Sequence, residues 1–539
     1  MSLNRKQALG PRDYLAAEEG TLHKRGKGEP SIALVYPNTY FLAMSNLGFQ
    51  SLYALFNADE KTICERAFLP DEVALGKGYE KIPLRTLESS RAVKTFDAIA
   101  LSTSFETDYL HLPALLDLAD IPFFARDRGE NDPIVIAGGA AITINPEPIK
   151  VFCDALFVGE AEDAVSEIID ALKGGSRQDK LERLSRIEGI YLPDRMTFAG
   201  LPTELPASIC PSSQIPNSLE RRISLAKLRH YKRRVPADIN GFPIASQIHT
   251  PYSEFGKLSL IEVQRGCGRG CKFCAEGFIY TPFRQRDFEL VKKQVLRGLK
   301  YRNKIGLIGA DLLIYPQILE LFDFIHASGG TFSPSSVRVD GLTSEVVERI
   351  RQSGHRTLAI APEAGSDALR SGVNKKFNNE GILEVIDRLI KADIPNIKMY
   401  FMIGLPGEKA SDIEELMRLV DEARNVVLAH AKASKRMGSL ILSINPFIPK
   451  PRTPYQVGVF EGIEALESKV AIIKKRLLPK GHIRIYHENP FFAYVQTLLS
   501  NGTEQTSDYL MEVFRQGGSL KRALRTFTNE AFSFKELAK

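Results

Sequence analysis

Tryptophan is absent from the 539 residues, and cysteine is scarce at six. So few thiols in so long a chain exclude a disulfide-stapled scaffold. No stretch approaches the roughly 18 uninterrupted apolar residues of a membrane-spanning helix. The opening MSLNRKQALGPRDYLAAEEG has no apolar core of the kind a secretory signal carries, so a cytoplasmic location is expected. A large excess of one charge is also missing: 71 Lys and Arg face 65 Asp and Glu, a net +6. That balance alone demands no nucleic-acid partner. What remains is ordinary globular material, 44% apolar and 25% charged, long enough for more than one core.

The small basic excess is concentrated. Arg221, Arg222, Lys227, Arg229, Lys232, Arg233 and Arg234 stand against the single acid Glu220. The plain reading is a solvated interdomain segment, and the sharper one is a phosphate-binding surface for RNA or an anionic cofactor tail. With no Trp, and only His230 and Tyr231 among these charges, base stacking is poorly served there.

Residues 1–30 read as an arm or an extra helix. From Ser31, short apolar runs (SIALVY, FDAIALSTSF, PIVIAGGAA, DALFVGE) alternate with helical stretches. Such runs argue a parallel sheet covered by helices on both faces. Residues 31–175 therefore predict a flavodoxin-like doubly wound α/β domain. Residues 176–255, rich in Pro and Ser, read as a connecting region. Over 256–480 the alternation returns. LSLIEV, KIGLIGAD, SVRVDG, TLAIAPEAG, IKMYFMIGLPGE and SLILSINPF are six predicted strands, which suggests a partial β/α barrel with its site at the carboxyl ends of the strands. Residues 481–539 are expected to form a small helical C-terminal unit.

The most informative segment is IEVQRGCGRGCKFCAEG. Cys267, Cys271 and Cys274 form C-x3-C-x2-C just after a predicted strand, so half of all the cysteines fall within eight residues. Three thiolates on one short loop suit an iron–sulfur cluster. A structural zinc site wants four ligands, no Cys follows Cys274, and no His lies between His249 and His326.

With Phe273 before its last cysteine, this motif resembles the signature of the radical S-adenosylmethionine (SAM) enzymes. The resemblance implies a 4Fe-4S cluster with one iron open to SAM, and downstream residues that hold SAM. Gly309, Ala310 and Asp311 stand where the family has its Gly-Gly-Glu turn for the SAM amino group, with Ala and Asp as departures. Ser336 and Arg338 look like contacts from the third strand. Glu363 looks like the acid facing the SAM ribose, and Lys375 like a partner for the SAM carboxylate. Gly404 matches the loop beside the adenine, and Asn445 and Pro446 resemble the ending of the sixth strand. Each has a plain alternative as a surface ion pair or a turn residue.

The segments VYPNTYFLAMSNLG, AGGAAITINPEP and VGEAEDA resemble the cobalamin-binding-type domain that precedes the barrel in one group of these enzymes. Asn38, Ser102, Gly138, Gly139 and Glu160 follow predicted strands, with Ser45, Thr103, Ser104 and Gly159 beside them. Small, polar strand ends suit a large flat ligand, and Gly-Gly permits close backbone approach. The cobalt-ligating D-x-H-x-x-G is absent, so cobalamin would be held without a protein His, or the domain is vestigial.

The resemblance thus implies a radical SAM enzyme that reductively cleaves SAM at the cluster to start hydrogen abstraction. With cobalamin bound it would be a methyltransferase acting on an unidentified substrate. It would need an electron donor such as flavodoxin or ferredoxin. The alternatives are rearrangement or RNA modification beside a vestigial cobalamin domain, and a non-catalytic cluster or corrinoid carrier. Sulfur-inserting relatives usually carry three further N-terminal cysteines. Only Cys64, Cys153 and Cys210 are available here, in contexts unlike a cluster site.

Overall fold

A computed structural model of the chain describes residues 10–24, 26–74, 76–193, 231–335 and 337–530. Ser336, Cys210 and the 220–230 part of the basic stretch lie outside the described residues. The described residues divide into two compact units, one of 10–193, 231–260 and 502–530, the other of 261–501.

The first unit is built on six strands: β1 (Ser31–Tyr36), β2 (Ile63–Phe68), β3 (Ala98–Ser102), β4 (Ile134–Gly138), β5 (Ala155–Phe157) and β6 (Ile190–Tyr191). Their order is β2-β1-β3-β4-β5-β6, parallel except for β6. All six residues of β1 are buried, as a strand covered on both faces requires. Because β1 pairs with both β2 and β3, the chain reverses direction across the sheet between β1 and β3. Helix Leu47–Ala58 packs by the 3.6-residue period, burying Phe49, Tyr53 and Phe56. Asn46 caps it, its side-chain oxygen accepting from the Phe49 amide at 2.8 Å. The doubly wound, flavodoxin-like domain is thereby found.

The N-terminal segment is more than an appendage. A helix forms at Pro11–Ala16, and just beyond it Glu18 buries its carboxylate against Arg66 of β2, with N–O distances of 2.7 and 2.8 Å. Arg66 is wholly buried, bonds Glu88 at 2.7 Å and lies 4.8 Å from the Tyr53 ring centroid. Burial alone would raise the Glu18 carboxyl, but the hydrogen bonds and charge of Arg66 hold it below its ordinary value. At the other end of the chain, helices Thr506–Arg515 and Leu520–Glu530 belong to this same unit. Asn145 donates to the Gly502 carbonyl at 2.8 Å, and Lys150 pairs with Glu147 and Glu504.

The second unit carries the barrel strands. β7 (Ser259–Glu262) leads into it, and β8 (Gln264–Arg265) pairs antiparallel with β9 (Arg284–Gln285). β10 (Lys304–Ile308) and β11 (Thr331–Pro334) continue a three-stranded sheet ordered β11-β10-β7. β12 (Thr357–Glu363), β13 (Asn396–Ile403), β14 (Ser439–Pro446) and β15 (Ile483–His487) form a parallel sheet in that order. Two expectations need correction. From Val337 onward SVRVDG is not a strand: β11 ends at Pro334, and Val339–Gly341 is a 3₁₀ turn. The segment from 481 opens with a strand, because IRIYH alternates branched apolar and polar residues, before its helices begin.

β13 and β14 alternate strictly. Ile397, Met399, Phe401, Ile403, Leu440, Leu442 and Ile444 are fully buried, while the residues between them, up to Ile441 and Ser443 and beyond, are half-buried. Helix Ala410–Ser434 packs against β14. One face of this sheet is therefore core, and the other is partly open.

Candidate cluster and cofactor site

The cysteine loop leaves β8 through Gly266, at φ +76°, where a Cβ would stand 2.2 Å from the Tyr280 carbonyl oxygen. Glycine is obligatory there. Cys267, Cys271 and Cys274 are half-buried free thiols. The loop is tied to the segment after β12. Asn374 donates to the carbonyls of Arg269 (2.9 Å) and Gly270 (3.0 Å), and the Lys272 amide to Val373 (3.2 Å). The Tyr455 amide bonds the Lys272 carbonyl at 3.1 Å. Phe273 packs on Ala364, Leu369, Val373, Leu405 and Phe447 and so anchors the loop from the apolar side. Burial raises the Cys267 thiol and pushes Cys274 up to about 11, so metal loading would release protons. Among the described residues, no three His, Cys, Asp or Glu converge to hold a single ion. A four-iron cluster instead puts each thiolate on a different iron, and three soft thiolates on one restrained loop suit it.

Asp311 follows β10 and is 1% exposed. Its Oδ2 accepts from Arg269 Nε at 2.7 Å and lies 3.8 Å from Arg338 Nε. Its Oδ1 is buried without a partner among the described residues. Such an acceptor is costly unless something donates to it, and a ligand ammonium fits that need. Arg338 reaches the cysteine loop, its Nη1 3.9 Å from Cys271 Sγ, and is held by Asp340 at 3.0 Å. Gly309 bonds Ser335 through both its amide and its carbonyl, and a Cβ there would meet Gln264 at 2.7 Å. Arg269 was not singled out from the sequence, although its place between two cysteines was the available signal.

At the end of β12, Glu363 adopts φ +64°, after a register shift between Ile360 and Glu363. Its Oε1 accepts from Lys375 Nζ at 2.7 Å, and Lys375 also donates to the Ala361 carbonyl at 2.9 Å. This unusual backbone is braced by Arg370, which is 0% exposed. Arg370 donates to the carbonyls of Pro362 and Ala364 and to Asn379 Oδ1, and pairs with Asp367. Gly404 ends β13 at φ +80°, its amide bonding Glu408 at 3.1 Å. Asn445 lies opposite Met402 at the carboxyl end of β14, next to Pro446. Thus Cys271, Asp311 and Arg338 share one network. Lys375 and Glu363 adjoin it through Asn374.

The strand ends of the first unit are arranged differently. Asn38 donates to Asp108 Oδ1 at 3.2 Å, and Asp108 Oδ2 accepts from the Ser104 and Phe105 amides. Asn46 bonds Ser104 at 2.7 Å, Thr103 bonds the Gly138 carbonyl through its amide and hydroxyl, and Ser45 donates to the Phe41 carbonyl. Ser102 and Glu160 are buried, and the Glu160 amide bonds Arg234 at 3.0 Å. Gly139, at φ +115°, would place a Cβ 2.3 Å from the Thr103 carbonyl oxygen, and Gly159 one 2.2 Å from that of Arg234. The expected room for a ligand at Gly139 is therefore taken by neighbouring backbone. Gly138 meets Phe157 at an ordinary 3.5 Å. What stays open at the β1 and β3 ends is apolar: Phe105 is 61% exposed, Phe41 42% and Leu42 40%.

Two family models match the chain. One describes the N-terminal part of radical SAM proteins and covers residues 48–193. The other describes the radical SAM superfamily and covers 261–420. The uncharacterised protein MJ0966 of Methanocaldococcus jannaschii is 31% identical over 433 residues, spanning 79% of this chain and 82% of that one. A tRNA-2-methylthio-N(6)-dimethylallyladenosine synthase of Anaplasma phagocytophilum is 24% identical over 274 residues, 44% of this chain and 57% of the relative. Among solved structures, the cobalamin-dependent S-adenosylmethionine radical enzyme OxsB aligns at a TM-score of 0.49 and 12% identity, over 93% of this chain and 70% of that one. The cysteine loop and both matched segments lead to one conclusion: the chain belongs to the radical SAM family, with the N-terminal domain of radical SAM proteins ahead of the radical SAM domain.

Proposed function

We propose that this enzyme cleaves SAM reductively at a 4Fe-4S cluster on Cys267, Cys271 and Cys274, and that it transfers a methyl group with the help of cobalamin in its first unit. The observation that carries the SAM seat is the orphan Oδ1 of Asp311, buried on the network that reaches Cys271. A bound cluster supplies the electron that breaks a C–S bond of SAM, and bound cobalamin supplies the methyl group. The chain's own residues bind and orient. Asp311 accepts from the SAM ammonium, Lys375 offers its cation to the carboxylate, and Glu363 accepts from the ribose hydroxyls. Arg338 and Arg269 place positive charge beside the thiolates, which favours the reduced, more negative cluster. Gly404, just after β13, would lie beside the adenine.

For cobalamin, the support is a flavodoxin-like order whose β1/β3 reversal is where such sheets bind ligands, edged here by Phe41, Leu42 and Phe105. Sulfur insertion, as in the methylthiotransferases, has less behind it. Cys64 lies on β2 and Cys153 just before β5, four strand spacings or about 19 Å apart, so these two do not share a second cluster. Among the described residues no helix is long and apolar enough to cross a membrane. A diffusible reductant such as flavodoxin or ferredoxin is the proposed electron donor.

The test is anaerobic reconstitution followed by absorption spectra with and without hydroxocobalamin, and assay of SAM cleavage under dithionite. About four irons per chain are expected. They should be lost, together with SAM cleavage, when Cys267, Cys271 and Cys274 all become Ala. Iron retained in that triple variant defeats the cluster assignment, and wild type that retains no cobalamin removes methyl transfer while leaving the radical SAM reading intact.

A further inference from the structure

The half-buried face of the β12–β15 sheet has an unusual composition. Barrel interiors are ordinarily filled with branched apolar side chains. Here β13 presents Lys398, Tyr400 and Met402, β14 presents Ile441, Ser443 and Asn445, and β15 presents Arg484 and Tyr486. On β13 and β14 these residues alternate with the fully buried apolar set, and the register carries Arg484 and Tyr486 of β15 onto the same side, away from the core. The register orders them in rows. Lys398 lies opposite Ile441, and Ile441 opposite Arg484. Tyr400 lies opposite Ser443, and Ser443 opposite Tyr486. One row is thus cationic at both ends, its charges two strand spacings or about 10 Å apart at the backbone. The next row is aromatic at both ends, with a hydroxyl between.

The charges are uncompensated. Lys398 lies 4.5 Å from the Tyr400 ring centroid, and among the described residues neither it nor Arg484 has a carboxylate partner. In the same unit Lys375, Lys469 and Arg338 all have one. Tyr486 is 58% exposed. Glu363, opposite Phe401, and Asn445, opposite Met402, stand beyond both rows at the carboxyl end of the sheet.

We infer that this face seats the substrate, and that the substrate is a planar organic anion. Its phosphate or carboxylate would lie between Lys398 and Arg484, and its ring would stack on Tyr400 and Tyr486 within reach of the Ser443 hydroxyl. This inference rests on the radical SAM reading, which puts SAM at the carboxyl ends of these strands and so puts the substrate beneath it.

The test is calorimetric titration of reconstituted, SAM-loaded protein with four probes: uridine 5′-monophosphate, orotate, uridine and ribose 5-phosphate. At least one of the two planar anions should bind about tenfold tighter than neutral uridine or non-planar ribose 5-phosphate, and which one does so separates phosphate from carboxylate. Lys398→Gln and Arg484→Gln should each weaken that anion about five- to tenfold and leave uridine unchanged. Tyr486→Ala should weaken the anion and uridine alike. Equal affinity for uridine and both anions, wild-type anion affinity in both Gln variants, or no binding of any probe overturns the inference. Wild-type iron content and SAM cleavage are read in the same samples. If they are lost while anion discrimination is kept, the radical SAM reading alone fails, and the reverse outcome sinks this inference alone.

Discussion

At the end of β3 in the first unit, Thr103, Ser104 and Asp108 direct their hydrogen bonds to Gly138, Asn46 and Asn38, and the backbone of Gly139 lies against Thr103. At the ends of β10 and β12 in the second unit, polar groups are equally buried, yet among the described residues Asp311 keeps an acceptor with no donor. The difference teaches how to read a small, polar strand end. Where each donor has an internal acceptor, the residues explain themselves by packing. Where a buried group lacks one, a ligand is the economical explanation.

The comparison breaks first at the buried charges of the first unit. Replacing Arg66 with Leu leaves Glu18 and Glu88 buried without a counter-charge, and should cost about 3–5 kcal/mol in urea unfolding followed by circular dichroism. An unchanged midpoint would mean that the N-terminal segment is not tied down as described. Next, Gly139→Ala should cost roughly 2–4 kcal/mol, because the added Cβ meets Thr103 O and the φ is unfavourable. A variant that folds normally yet loses cobalamin would restore Gly139 to a ligand-facing role. In the second unit, Glu363→Gln should weaken SAM binding by about 1.5–3 kcal/mol, roughly ten- to a hundredfold, with iron content unchanged. Unaltered SAM affinity would make the Glu363–Lys375 pair purely structural. The smallest effect is on pH. Glu18 titrates below its ordinary value when folded, so its stabilising contribution is complete above about pH 4.5 and fades as pH falls through the depressed value. Proteolysis within the first 25 residues should therefore accelerate on acidification below that point, and Glu18→Gln should flatten the dependence.

Much of this was legible in the chain. SIALVY and its successors gave away the doubly wound domain because strands buried on both faces must be continuously apolar. C-x3-C-x2-C marked the cluster loop because the chemistry lies in the spacing. SVRVDG misled because its V-x-V alternation imitates a strand, while its second valine lies in a 3₁₀ turn that follows the end of β11. Gly139 misled in another way. A glycine reports that something comes close, and only coordinates tell whether that is a ligand or Thr103. The Arg269–Asp311 and Lys375–Glu363 pairs join residues 42 and 12 positions apart, and no periodicity encodes which cation meets which acid. The polar rows of the β13–β15 face needed register, which a strand's own sequence does not specify.

Arg370 has a kinetic consequence. Its guanidinium, sealed from water, holds the Pro362 and Ala364 carbonyls and Asn379 at once, and thereby fixes the turn that presents Glu363 and Lys375. The amides of this turn should exchange with deuterium only through large-scale opening, whether or not SAM is bound. A seat assembled in advance needs no ordering step on arrival, so SAM association should follow a single phase linear in SAM concentration, with affinity differences among variants carried by the departure rate.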